Sequence, residues 1–248
     1  MIKIVILGTG NVATHFISAF KACEAVKVIQ IYNHREDSLV QFNDCNTTTD
    51  IDQLMPADIY LICVKDDLIS NLANKINQPN SIIAHTSGSV PLLKSSKRNA
   101  VFYPLQTFSK DKKVNFKDLP ICIESQHKSD FKLLKKLAIN IEAKVYEVNS
   151  KQRQELHLAA VFVCNFVNHL YHIGHEICKH KDLPFDILKP LINETADKIN
   201  QKTPKDAQTG PALRKDHGTI NRHINQLDGL ATKELYRYLT ASIQQTYD

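Results

Sequence analysis

Apolar positions in the first 150 residues fall into short, nearly continuous runs separated by stretches of helical period. Ile2–Leu7, Val26–Tyr32, Asp58–Val64 and Ser81–His85 are such runs, followed by the shorter Ala100–Tyr103, Ile121–Ile123 and Val145–Val148. Strands buried on both faces have this appearance. Between them, His15–Phe20, Asp67–Ile76 and Phe131–Ile141 carry apolar residues at helical spacing, and Asp50–Leu54 reads as a short helical turn. Strands alternating with helices predict an α/β fold with a doubly wound parallel sheet.

From Lys151 the period changes. Gln154–His180, Phe185–Gln201, Thr219–Leu227 and Thr232–Gln245 read as helices, broken at Pro184, Pro204 and Gly210-Pro211. The expected division is therefore an α/β domain over 1–150 and an all-helical domain over 151–248, serving substrate binding and dimerisation. The helix from Gln154 is apolar nearly all round between Leu156 and Val167, which predicts a buried spine between domains or subunits. His157, Asn165, Asn168 and His172 interrupt it on one side. Buried polar groups need partners, which either a ligand or neighbouring helices supply. His169, His172 and His175, with Glu176, imitate metal ligands. Steps of three, however, spread side chains around a helix, and no Cys or Asp joins them, so no metal is expected.

One turn carries the strongest chemical signal. Gly8-Thr9-Gly10-Asn11-Val12-Ala13 follows the first strand and opens the first helix, the placement that a dinucleotide fingerprint requires. The first Gly permits the tight turn, the second lets backbone approach a pyrophosphate, and a small third residue lets helix pack on strand. Unpaired N–H groups at the helix start then face the phosphates. A Gly-rich turn without ligand is the plain alternative, but glycine is scarce, with 7 in 248 residues. The second strand ends at Asn33-His34-Arg35, about 20 residues past the glycines, where an NAD site places a carboxylate and an NADP site an Arg. Asn33 and Arg35 predict NADP, with a solvated turn as the alternative; His34 stacks on adenine or faces water.

Ligands of open α/β sheets bind outside the carboxyl ends of the strands. Three loops there are polar: Val64-Lys65-Asp66-Asp67, His85-Thr86-Ser87-Gly88-Ser89 and Tyr103-Pro104-Leu105-Gln106-Thr107-Phe108. Val64, Lys65 and His85 are expected along the cofactor, and Ser87 and Gln106 at the substrate. Turn and cap chemistry is the alternative for the last two loops. Further on, Arg214 clamps a substrate carboxylate, at the mouth of its own or a partner's cleft, or forms a surface ion pair with Asp216.

Composition narrows the setting. The chain, 248 residues with 43% apolar, suffices for one large core or two smaller ones. Neither a leader peptide nor an apolar run of 18 residues is expected from the residues, and no membrane partner is expected. Six Cys without a C-x-x-C pair suit reduced thiols and a cytoplasmic location. The net charge of +5 is mild; the Lys94–Arg98 and Lys110–Lys113 clusters suit solvated loops and predict no nucleic-acid partner.

Gly8–Ala13, Asn33-His34-Arg35, His85–Ser89 and Tyr103–Phe108 resemble a bacterial family of Rossmann-like proteins assigned as NADP oxidoreductases. So do His157-Leu158-Ala159-Ala160 with Asn165-Phe166-Val167-Asn168, and Gln208–Ala212 with Arg214 and Asp216. The resemblance spans essentially the whole chain, with pyrroline-5-carboxylate reductases and deazaflavin-dependent NADP reductases as nearest relatives of known activity. It implies a nicotinamide cofactor and a homodimer built largely by the helical domain, but supplies no substrate; hydride transfer to a small carbonyl or imine is what the residues of the site lead one to expect. Hydroxyacid dehydrogenases of this build use a Lys, with an Asn one turn later, as proton donor. Here His157 takes that place with Asn165 two turns on, so His157, Asn165 and Ser87 are the expected catalytic residues, beside Asn168 for substrate. An imidazole titrates near neutrality and can serve as an acid. A nucleotide-binding sensor without turnover, or a reductase of a flavin or deazaflavin, is the alternative.

Overall fold

The computed structural model describes residues 1–94 and 98–247. Of the basic cluster at 94–98, residues 95–97 lie outside the described residues. The chain divides into two compact units, Met1–Cys164 and Asn165–Asp248.

In the first unit the strands are β1 (Ile2–Leu7), β2 (Val26–Tyr32), β3 (Thr47–Thr48), β4 (Ile59–Ile62), β5 (Ile82–His85), β6 (Arg98–Pro104), β7 (Pro120–Ser125) and β8 (Lys144–Glu147). They form one eight-stranded sheet in the order β3-β2-β1-β4-β5-β6-β7-β8. Helices α1 (Asn11–Lys21), α2 (Asp66–Lys75) and α3 (Lys128–Asn140) cover it. Alternate residues of each strand feed opposite faces, as period-two geometry demands. Ile4, Ile6, Ile59 and Leu61 pack with Phe16 and Phe20 of α1 and Leu134 of α3. Val5, Leu7, Tyr60 and Ile62 pack instead with Ile69 and Ala73 of α2. Both faces are thus buried, and the expected Rossmann-like α/β fold is present.

The sheet is not wholly parallel. β7 runs antiparallel to β6, with Tyr103 opposite Cys122, before α3 returns the chain to a parallel β8. A parallel pair needs a crossover, usually a helix. Residues 105–119 form no helix, so the chain simply turns back.

A continuous helix runs over Ser150–Lys179, as α4 (Ser150–Ala160), a π-helical turn at Val161–Phe166 and α5 (Val167–Lys179). It starts earlier than the apolar pattern indicates. Asn149 accepts from the Gln152 N–H at 2.9 Å while the Gln152 side chain caps Asn149 in return, a capping box. The expected burial of this helix is not found in the single chain: Leu158 and Phe162 are 60% exposed, Val163 74% and Phe166 51%. It is also long and apolar enough to cross a membrane by length and composition, with a mean hydropathy of 1.2 over 18 residues. The stretch is not an unbroken apolar run, since His157, Asn165, Asn168, His169 and His172 interrupt it.

The second unit continues with α5, a short 3-10 turn at Phe185–Leu188, α6 (Lys189–Lys198), α7 (Pro204–Ala207), α8 (His217–Gln226) and α9 (Leu230–Tyr247). Its described residues contain no strand.

Candidate active site

After β1 the chain goes to β2 on one side and, later, to β4 on the other. The carboxyl ends of β1 and β4 therefore border the crevice where α/β sheets bind ligands. A cleft of about 1130 Å³ opens there. Small-molecule sites are typically about 300–1,000 Å³, so this one has room for a dinucleotide with a substrate beside it.

One end is the glycine turn. Gly8 has φ +112°, and a Cβ on it would stand 2.3 Å from the Cys63 carbonyl oxygen, so only glycine fits. Gly10 caps α1 without any side-chain hydrogen bond, and nothing lies within 4 Å of where its Cβ would be. That open space beside unpaired N–H groups is the cradle a pyrophosphate needs. Thr9, Asn11 and Val12 line the cleft with them. Ala13 does not. It lies in the first turn of α1, fully buried in the core shared with the sheet, in the packing role that its small size serves.

Asn33, His34 and Arg35 line the cleft at the end of β2. The Asn33 amide donates to Thr9 Oγ1 at 2.6 Å and accepts from the Arg35 N–H at 3.0 Å, tying this corner to the glycine turn. Val64 and Lys65 also line it, joined by Asn71, Leu72 and Lys75 of α2, which the sequence reading did not single out. Cys63 borders the cleft too; burial pushes its thiol up to about 12, so it stays protonated.

The other end gathers Ser87, Gly88, Tyr103, Gln106 and His157. Ser87 Oγ accepts from the Ser89 and Val90 N–H groups, both at 3.0 Å, which is the turn chemistry weighed as its alternative; the hydroxyl proton stays available. Tyr103 Oη lies 3.0 Å from His157 Nδ1, with the rings edge-on at 5.9 Å. Both rings press on Gly88: a Cβ there would meet His157 Nδ1 at 2.7 Å and Tyr103 Cζ at 2.9 Å. Burial pushes the Tyr103 phenol up to about 12.

His85 does not line the cleft. Its ring is buried, with Nδ1 accepting from the Ser87 N–H at 3.2 Å and Nε2 lying 3.3 Å from the Pro91 carbonyl. Burial first, then the charge of Arg153, pushes its pKa down to about 4. The expected cofactor contact gives way to a structural one. Arg153 itself is wholly buried, paired with Glu124 and donating to the Val90 carbonyl at 2.6 Å. Ser150 Oγ donates to Glu124 at 2.8 Å and accepts from the Leu92 N–H at 2.8 Å. The 87–92 loop is thereby fastened to the start of α4.

Asn165, Asn168 and Arg214 belong to the second unit, where all three side chains are exposed. Asp216, the expected surface partner of Arg214, instead caps α8 by accepting from the Thr219 N–H at 2.9 Å, which holds its carboxyl below the usual range. On α5, His172, His175 and Glu176 bring ligand atoms within 4.8 Å of one another. Steps of three and four stack side chains on one helical face, contrary to the spreading expected above. The group is largely exposed, and Glu176 accepts from His175 at 3.0 Å.

Residues 119–243 match the family described as Domain of unknown function (DUF2520). A "putative NADP oxidoreductase", BF3122 from Bacteroides fragilis, is similar over 98% of both chains, with 38% identity and a TM-score of 0.90. An imine reductase from Myxococcus stipitatus, solved with NADP+, has a TM-score of 0.66 at 9% identity, over 99% of this chain and 92% of that one. A 1-pyrroline-5-carboxylate reductase from Streptococcus pyogenes has a TM-score of 0.63 at 11% identity, over 98% of both. The last two likenesses concern the fold alone. Among curated proteins, none matches.

Proposed function

This chain belongs to the DUF2520 family, and from that premise we propose that it is an NADP-dependent oxidoreductase acting on a small carbonyl or imine. The observation that carries the reading is one cleft joining the Gly8–Val12 turn to Ser87, Tyr103 and His157. The likeness to BF3122, and to folds that serve imine and pyrroline-carboxylate reduction, supports it. When bound, the nicotinamide supplies the hydride chemistry; the chain binds, orients and handles the proton.

The α1 N-terminus with Gly8 and Gly10 holds the pyrophosphate. Arg35 takes the 2′-phosphate with its planar fork, and Asn33 braces that corner. Ser87 and Gln106 orient the substrate, and His157 protonates its oxygen or nitrogen. The site lies in a cytoplasmic homodimer. The bare apolar face of the Ser150–Lys179 helix is self-complementary in chemistry, as a two-fold interface requires. Burial against a second copy also accommodates the four histidines and two asparagines that a lipid core would penalise.

Calorimetric titration with NADPH and NADH tests the cofactor. NADPH binds at least about tenfold more tightly, a difference of about 1.4 kcal/mol, and Arg35→Ala removes most of it. Equal affinities defeat the NADP assignment. Absorbance at the nicotinamide band then follows turnover on a panel of small aldehydes, ketones and cyclic imines. Tight NADPH binding without oxidation across the panel favours a sensor, and oxidation only with a free flavin or deazaflavin favours the cofactor reductase.

A further inference from the structure

Tyr103 sits in β6, fifty-four positions before the histidine it touches, and its chemistry bears on how that histidine works. The phenol is buried, and among the described residues its only hydrogen-bond partner is His157 Nδ1 at 3.0 Å. A buried donor left without an acceptor is costly. Because burial keeps the phenol protonated well above neutrality, its O–H must go somewhere, and Nδ1 is the acceptor within reach. A neutral imidazole that accepts at Nδ1 carries its own proton on Nε2.

The second observation is steric. Gly88 packs against the Nδ1 and Cγ edge of the ring, with no room for even a Cβ. That edge is closed by Tyr103 on one side and the loop backbone on the other. Nε2, at the opposite edge, has no hydrogen-bond partner among the described residues, while His157 as a whole lines the cleft.

We infer that Tyr103 is a positioning residue that sets the tautomer and orientation of His157, so that the ring presents Nε2–H to whatever occupies the substrate end of the cleft. The geometry holds through protonation. If the imidazole takes a second proton it does so at Nδ1, the phenol oxygen turns from donor to acceptor, and Nε2 still bears hydrogen. In both states the substrate oxygen or nitrogen meets a donor, which suits an acceptor gaining electron density and excludes a ring that abstracts protons from a neutral resting state. The inference rests on the proposed function for its catalytic meaning, but not for its geometry.

Long-range proton–nitrogen NMR correlation on uniformly ¹⁵N-labelled protein at pH 8, with His157 assigned through His157→Gln, reads the tautomer directly. The expected wild-type spectrum shows an unprotonated Nδ1 and a protonated Nε2. Tyr103→Phe keeps the fold and, within about twofold, the affinity for NADPH, yet its His157 signals move to a mixture of tautomers. On a substrate that is turned over, the same variant loses about tenfold in kcat with KM changed less than about threefold. A wild-type ring protonated at Nδ1, or a Tyr103→Phe spectrum unchanged from wild type, overturns the inference. A wild-type spectrum as expected with no oxidoreductase turnover on any panel member removes the proposed function instead and leaves the Tyr103 assignment standing.

Discussion

Acid should weaken this fold through one residue, His85. Its ring is buried beside Arg153, and its hydrogen bonds define a neutral state: Nδ1 accepts from the Ser87 N–H, so Nε2 holds the proton facing the Pro91 carbonyl. A proton added at Nδ1 would oppose that N–H donor and place a charge in the interior. The folded pKa lies near 4 against 6.5 for a free imidazole. The sign follows from proton counting: between those values the unfolded chain binds a proton that the folded chain refuses, so stability falls as pH falls. The loss begins near pH 6.5 and levels off below 4. At pH 5, about 1.5 units below the free value, it amounts to about 2 kcal/mol at about 1.36 kcal/mol per unit. Urea unfolding followed by circular dichroism, at pH 7 and pH 5, on wild type and His85→Gln, isolates the effect. The wild type should lose about 2 kcal/mol more than the variant between the two pH values, whatever the variant's stability at pH 7. Equal losses would show that acid acts elsewhere and that His85 is not the neutral buried group described.

Two further outcomes test the Ser87–His157 end of the cleft and the proposed assembly. Gly88→Ala drives a methyl group to within 2.7 Å of His157 Nδ1 and 2.9 Å of Tyr103 Cζ; overpacking of this kind costs about 1–3 kcal/mol. Turnover should fall at least about tenfold, about 1.4 kcal/mol in barrier, and full activity in the variant would show that the two rings need not stay paired. Light scattering at micromolar concentration should give twice the chain mass for wild type, and Val163→Glu, at the most exposed apolar position in the π-helical turn, should give a monomer. A monomeric wild type refutes the dimer.

Where a residue's task is set by its own neighbours in sequence, the sequence was enough to place it. Gly8, Gly10 and Ala13 could be read together because a tight turn, an open cradle and a helix packed on a strand each restrict residue size within six positions. Asn33 and Arg35 reach the cleft because the end of a strand after a glycine turn has a fixed place in this fold. His157 stood out as a polar group in an apolar helix. Tyr103 did not, since an aromatic in a strand looks like core and its partner lies 54 residues away. Lys75 and Asn71 were equally silent, as polar residues on the outer face of an amphipathic helix. Strand direction was also hidden. An apolar run such as Ile121–Ile123 is the same read either way, and only the absence of a helical crossover reverses β7. The bare helix shows a different limit: hydropathy demands cover but does not say which chain supplies it.

The start of α4 explains why a histidine on a helix can serve a cleft built from loops. Arg153 precedes His157 by four residues, one helical turn, so the two side chains leave the helix on the same side. Arg153 is anchored by Glu124 of β7 and by the Val90 carbonyl, and Gln154 donates to the Ser89 carbonyl at 2.7 Å. These bonds clamp the turn of helix below His157 to the very loop that carries Ser87 and Gly88. A buried cation must be paired to be tolerated, so this clamp cannot loosen without exposing Arg153 or stranding its charge. The distance between the His157 ring and the 87–90 backbone is thus fixed by an ion pair below it and by the Tyr103 hydroxyl beside it. A ring held from two directions keeps its place in the cleft, which is the preorganisation that the proposed role of His157 as proton donor requires.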